Sequence, residues 1–202
     1  MLEISKQDIV ARLEFDNPWW EDGQESPVAY EETPRRKYFE MFSQNILDAS
    51  VRRALVLMGP RRVGKTVMVY HSIRMLLDTG VSAESILYLS LETPIYTGLS
   101  LERFIIYFQE LFEHKRAWEI HLNSLVDSFP SYRFVATGSA AAALRLKSTE
   151  SGAGRFSDYV LPPLTFSEYL MFVGKEDELI VEEAKEPDPY GRLSIGKRYG
   201  SP

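Results

Sequence analysis

The stretch Gly59-Pro60-Arg61-Arg62-Val63-Gly64-Lys65-Thr66 constrains this chain more than any other. It fits G-x-x-x-x-G-K-[ST], a loop whose backbone N–H groups curl inward around phosphate oxygens. Such a loop needs a strand before it and a helix after it. Ala54-Leu55-Val56-Leu57-Met58 is an unbroken apolar run, as a strand buried on both faces should be. Val69, Ile73, Leu76 and Leu77 then recur at helical spacing, and Asp78-Thr79-Gly80 supplies a stop.

The chemistry expected of the loop follows from its residue types. Gly59 and Gly64 allow backbone angles and a close approach that a side chain would block. The N–H groups of the loop, aided by the positive end of the next helix, would then hold phosphate. Lys65 would reach the β- and γ-phosphates of ATP, and the Thr66 hydroxyl would ligate the Mg²⁺ that bridges them. Arg61 and Arg62 lie inside the loop and either touch phosphate or stay solvated. The plain alternative is a glycine turn with Lys65 at a surface.

Composition removes several other classes. No apolar run approaches the ~20 residues needed to cross a bilayer, and the first residues lack the pattern of a signal peptide. The chain has no cysteine, so it has neither disulfides nor thiolate metal sites. His71, His114 and His121 are too scattered to build a zinc site and read as helix-surface residues. A net charge of −6 does not suggest nucleic-acid binding by this chain alone. A cytoplasmic protein is expected.

Along the chain, residues 5–13 predict a short helix burying Ile9, Val10 and Leu13, broken by Asn17-Pro18. Trp19-Trp20 is read as packing on the domain's own flank, with a partner-docking anchor or a clamp over nucleotide as alternatives. Thr33-Pro34 predicts a helix start, followed by Phe39, Phe42 and Ile46 at helical spacing. Further strands are expected at Ile86–Leu91, Phe134–Thr137 and Tyr159–Leu161. Ser100 should cap a helix with an apolar stripe of Leu101, Phe104, Ile105, Phe108, Leu111 and Phe112, and Trp118, Leu122 and Leu125 should begin another. Gly138-Ser139 is expected to start a helix that runs through Ala140 to Leu144. Thr165-Phe166-Ser167-Glu168 reads as a capping box opening a helix with Phe166, Tyr169, Leu170 and Val173. From Gly174 onward acidic residues dominate, and a solvated, mostly disordered tail is expected.

Together these residues resemble the prokaryotic ATPases of the AAA+ superfamily, with a RecA-like core. The resemblance rests on Arg52-Arg53 and the stretch from Leu57 to Thr66, on Ala136-Thr137-Gly138-Ser139-Ala140, on Glu150 to Phe156, and on Leu161 to Leu170. It covers the chain from about Asn17 to Val173. It implies that Thr137 and Ser139 fall where a polar sensor faces the γ-phosphate or the attacking water. It also implies that Arg155 acts as a sensor or arginine finger, against a structural salt bridge or cap; Ser139 would otherwise be a helix N-cap.

The sequence departs from that family twice. Such ATPases carry a Walker B strand ending in Asp-Glu, which helps hold Mg²⁺ and polarises the attacking water. Here Glu113-His114-Lys115-Arg116 runs straight into Ala117-Trp118, and Asp177-Glu178 lies in the acidic tail. Glu92 is a weak substitute. Family members also continue into a C-terminal domain, often nuclease-like, that is not seen here.

The expected fold is therefore an α/β P-loop NTPase of RecA/AAA+ type, incomplete, with a parallel sheet and helices on both faces. Residues 1–34 form an N-terminal helix and aromatic connector, 35–173 the ATPase core and 174–202 the tail. The expected function is Mg-ATP binding with poor hydrolysis. A nucleotide-dependent interaction module without turnover and a P-loop kinase are the alternatives. Self-association or a protein partner is left open, and no membrane partner is expected.

Overall fold

The computed structural model describes residues 5–22, 28–48, 50, 53–112, 131–137, 156–175, 180–181 and 198–199. Its centre is β1 (Ala54–Met58), every residue of which is buried. Two strands flank it, β2 (Val135–Thr137) and β3 (Phe156–Val160), in the order β2-β1-β3. Both pairings are parallel, with Leu57 opposite Thr137 on one side and Tyr159 on the other. Three strand ends and the start of the loop thus lie on one rim of the sheet. In open parallel sheets that rim is where ligands bind.

Alternation along β1 sends Leu55 and Leu57 to one face and Val56 and Met58 to the other. Helices α3 (Phe39–Leu47) and α4 (Lys65–Asp78) cover the first face. There Phe42, Ile46, Leu55, Leu57, Met68, Tyr159 and Leu161 form one buried cluster. The far side of α4 buries Ile73 and Leu77 against Trp19, Val28, Ala83 and Ile86. The predicted stop of α4 stands, with Gly80 in the left-handed region at φ +87°.

The N-terminal helix α1 (Lys6–Asp16) runs three residues past the expected Leu13. Ser5 caps it through a reciprocal bond pair with Asp8. Its Ile9 and Leu13 pack on Tyr96, Phe104 and Tyr107, the last two from α5 (Leu101–Leu111). Ser100 caps α5 by accepting from the Arg103 N–H, as the sequence indicates. A single helical turn, α2 (Trp19–Asp22), carries the two tryptophans. Trp19 is fully buried, and the Trp20 ring lies 5.6 Å from Phe108 and 5.0 Å from Phe112. They pack on the domain's own flank, so the clamp and docking-anchor alternatives are not what the structure shows.

Two expectations need correction. No strand forms at residues 86–91. That segment has no regular structure, and its backbone is met by side chains: Ile86 O accepts from both tryptophan Nε1 groups, at 3.1 and 2.8 Å. Tyr88 is gripped on both polar groups by the Asn17 amide, N–H to Oδ1 at 2.6 Å and O from Nδ2 at 3.0 Å. The second correction concerns α3, which begins at Phe39 and not at Thr33-Pro34. The intervening residues are laid across the last helix of the core instead, because Lys37 N–H donates to Glu168 and the Arg36 side chain is buried against it.

That helix, α6 (Phe166–Phe172), has the predicted capping box, with both reciprocal bonds between Thr165 and Glu168 in place. Only Leu170 of its expected apolar residues is buried; Phe166, Tyr169 and Val173 are about half exposed. Within the acidic end, β4 (Ile180–Val181) pairs antiparallel with β5 (Arg198–Tyr199). The expected helix at 138–144 and the stretch around Trp118 lie outside the described residues.

Candidate functional site

The loop 59–66 joins the end of β1 to the start of α4, in the order its chemistry requires. Gly59 leaves the strand at φ +152°, and a Cβ there would sit 2.4 Å from the Leu161 carbonyl oxygen. No side chain fits. The close approach holds the loop against the end of β3, where Leu161 N–H donates to Met58 O at 2.8 Å. Gly64 has φ +91° and stands at the N-cap of α4, where among the described residues no side chain caps the N–H groups of the first turn. Arg62 also has positive φ, +64°, a rare conformation for a residue other than glycine and one that marks a shape imposed by the loop.

Lys65 follows directly. It is buried, and its Nζ donates to Gly59 O at 2.8 Å and Pro60 O at 2.6 Å. Burial pushes its pKa down from the usual value. Carbonyl dipoles compensate the ammonium, and a phosphate group could replace them with a stronger, charged acceptor. Thr66, next along, is exposed in the first turn of α4. Arg61 and Arg62 are exposed too. The loop thus brings together a left-handed glycine at the N-cap of α4, the buried Lys65 ammonium and the exposed Thr66 hydroxyl.

Thr137 lies at the C-terminal end of β2, exposed, opposite Leu57 and so beside the exit of β1 into the loop. Ser139 and Arg155 lie outside the described residues. Glu92 is exposed in a turn and follows no strand. Among the described residues no group of three or more His, Asp or Glu is placed to hold a metal ion. No described helix is long and apolar enough to cross a membrane.

Sequence reading missed one residue at this site. Arg36 is buried, with 6% of its surface exposed, and its Nη1 donates to Val63 O inside the loop at 2.6 Å. Its Nε and Nη2 reach the two carboxylate oxygens of Glu168 at 2.6 and 3.0 Å, and Nη2 also reaches Pro162 O at 3.0 Å. Burial works to raise the Glu168 pKa. The hydrogen bonds from Arg36 and from the Thr165 and Lys37 N–H groups, with the guanidinium charge, outweigh it and hold the carboxyl at about 2. Nothing in the sequence pairs Arg36 with Glu168. The capping box accounted for Glu168 by local bonds alone.

No curated protein and no solved structure matches the chain. A family profile described as an AAA domain matches residues 51–170, more than half of the sequence and the whole of the sheet with its loop. Together with the parallel β2-β1-β3 order and the strand–loop–helix unit, that match settles the fold. This chain belongs to the AAA domain family.

Proposed function

We propose that the chain binds Mg-ATP at residues 59–66 and hydrolyses it poorly. The observation that carries this reading is Lys65, a buried cation whose bonds go to the Gly59 and Pro60 carbonyls, set beside the uncapped N-terminus of α4. In this reading the N–H groups of the loop and Lys65 hold the β- and γ-phosphates. Gly59, Pro60, Arg61, Arg62, Val63 and Gly64 shape that cradle, and Thr66 ligates the Mg²⁺ that arrives with the nucleotide. Thr137 and Ser139 act as polar sensors, and Arg155 as the arginine that answers the γ-phosphate.

Poor hydrolysis follows from the absence of Asp-Glu after an apolar run in the sequence. Phosphoryl transfer works by positioning and charge stabilisation, so those carboxylates are parts of the catalyst. Losing a general base costs ~10²–10⁴ in rate. Binding is spared, because the loop, Lys65 and Thr66 remain.

Mg-ATP at a hundred times its dissociation constant stabilises the folded state by about 2.7 kcal/mol. For a chain of this size that is a rise in Tm of roughly 5–10 °C. Lys65→Ala is expected to abolish the rise. A folded wild type unshifted by millimolar Mg-ATP overturns the binding reading. Turnover near ~1 s⁻¹, absent in Lys65→Ala, overturns the poor-hydrolysis part alone, since uncatalysed or contaminating hydrolysis would survive that substitution.

A further inference from the structure

The Arg36 contact with the loop has a geometric consequence. The carbonyl that Arg36 grips belongs to the peptide joining Val63 to Gly64. In a planar trans peptide the C=O and N–H point in opposite directions. Fixing Val63 O on the guanidinium therefore aims the Gly64 N–H away from Arg36. Among the described residues no carbonyl accepts that N–H. Gly64 sits at φ +91° and has no side chain to resist rotation of that peptide.

We propose that Arg36, anchored by Glu168, is a positioning residue of the phosphate loop: it holds the Val63–Gly64 peptide so that the Gly64 N–H faces the bound phosphate. The proposal rests on the nucleotide-binding reading and adds a residue to it. The anchor suits the task. Glu168 is fully buried and takes Nε and Nη2 in a fork, while Lys37 N–H, Thr165 N–H and Thr165 Oγ1 fill its remaining lone pairs at 3.1 Å each. Pro162 O, beside the end of β3, takes a further Nη2 hydrogen. Arg36 is thus neutralised and braced in three directions, with Nη1 left to hold the loop. A lysine could supply the charge but not the fork.

The test must separate loop geometry from stability. Mg-ADP and Mg-ATP affinities are measured by calorimetry for wild type, Arg36→Lys, Glu168→Gln and Ser100→Ala, well below each Tm, with urea unfolding of the nucleotide-free proteins alongside. Ser100→Ala is the control, since it removes the cap of α5, which makes no bond to the loop. Arg36→Lys is expected to weaken both nucleotides about tenfold or more, and Glu168→Gln by a smaller factor. Ser100→Ala should lose stability and keep wild-type affinity. In wild type the Gly64 amide resonance should move on adding Mg-ADP, and in Arg36→Lys it should already differ before nucleotide is added.

Wild-type affinity in folded Arg36→Lys overturns the proposal, as does an affinity loss in Ser100→Ala that tracks its stability loss. If Arg36→Lys does not fold, unchanged affinity in Glu168→Gln, or a Gly64 amide that ignores Mg-ADP in wild type, overturns it equally. A wild type that binds neither nucleotide removes the reading beneath the proposal, and the proposal falls with it.

Discussion

Residues 54–58 and 86–90 are both short and largely apolar, yet their backbones find partners of different kinds. Ala54–Met58 has a strand on each side, β2 and β3, and its polar groups go into two parallel ladders. Residues 86–90 are held by three side chains from one short piece of chain, Asn17, Trp19 and Trp20. The Asn17 amide offers Tyr88 one donor and one acceptor at hydrogen-bonding distance, which is what a neighbouring strand would offer. Backbone groups must be satisfied by something. Among the described residues no strand pairs with this segment, and for Ile86 O and both polar groups of Tyr88 a buried amide and two indoles take its place.

The difference predicts where the molecule is fragile. A ladder spreads its bonds over many residues, so no single side chain in β1 carries the pairing. The 86–90 segment concentrates it. Asn17 is fully buried and makes bonds to Leu13 O, Tyr88 O and Tyr88 N–H. Asn17→Ala removes all three and strands both polar groups of Tyr88, at an expected cost of about 3 kcal/mol. Urea unfolding measures it. None of these bonds reaches residues 59–66, so nucleotide affinity well below the Tm should stay at the wild-type value. A cost under ~0.5 kcal/mol would mean that another group pairs with Tyr88, and the contrast between the two segments would be lost.

The same contrast shows how far the sequence could be read. β1, the loop and α4 were legible because each is specified by its own residues: an apolar run, two glycines, a helical stripe and a stop. Ile86–Leu91 carries an equally good strand pattern, but a strand needs a neighbour and the pattern says nothing of one. Thr33-Pro34 failed for a related reason, since what sets the path of residues 33–38 is Glu168, and |i−j| for its bond to Arg36 is 132. Thr137 was placed through the family resemblance, and the register opposite Leu57 puts it beside the loop. Arg36 carried no local signal at all. The apolar spacing of α6 likewise overstated burial, because that helix meets the core through Glu168 and Leu170 rather than along a full stripe.

The loop side of the molecule has its own point of concentration, and pH exposes it. Glu168 titrates near 2 in the folded protein against an ordinary value of 4.5. A depressed carboxylate stabilises the fold above its unfolded pKa, and that stability is lost as pH falls through the folded value. The window is therefore pH 4.5 down to about 2. A shift of that size corresponds to an effect on the order of 3 kcal/mol. Urea midpoints taken down this range should fall more steeply in wild type than in Glu168→Gln, which has no proton to gain at that position. Parallel slopes would show that the Arg36 anchor does not depend on the carboxylate charge.

The smallest expected effect separates a cap with a helix behind it from one without. Ser100 and Thr33 are both residue types favoured at helix N-termini, and each precedes a plausible helical run. Ser100 Oγ accepts from Arg103 N–H at 3.3 Å and α5 begins at the next residue. Thr33 is exposed and stands well before α3, whose N-cap is Tyr38. Ser100→Ala should therefore lower stability by about 1 kcal/mol, and Thr33→Ala by less than ~0.5. Both are read from urea midpoints at constant slope. Equal losses would mean that residues 33–38 coil into α3 in solution. Lys37 N–H would then be drawn toward the helix and away from Glu168, and the brace that holds Arg36 against the loop would be weaker than these distances imply.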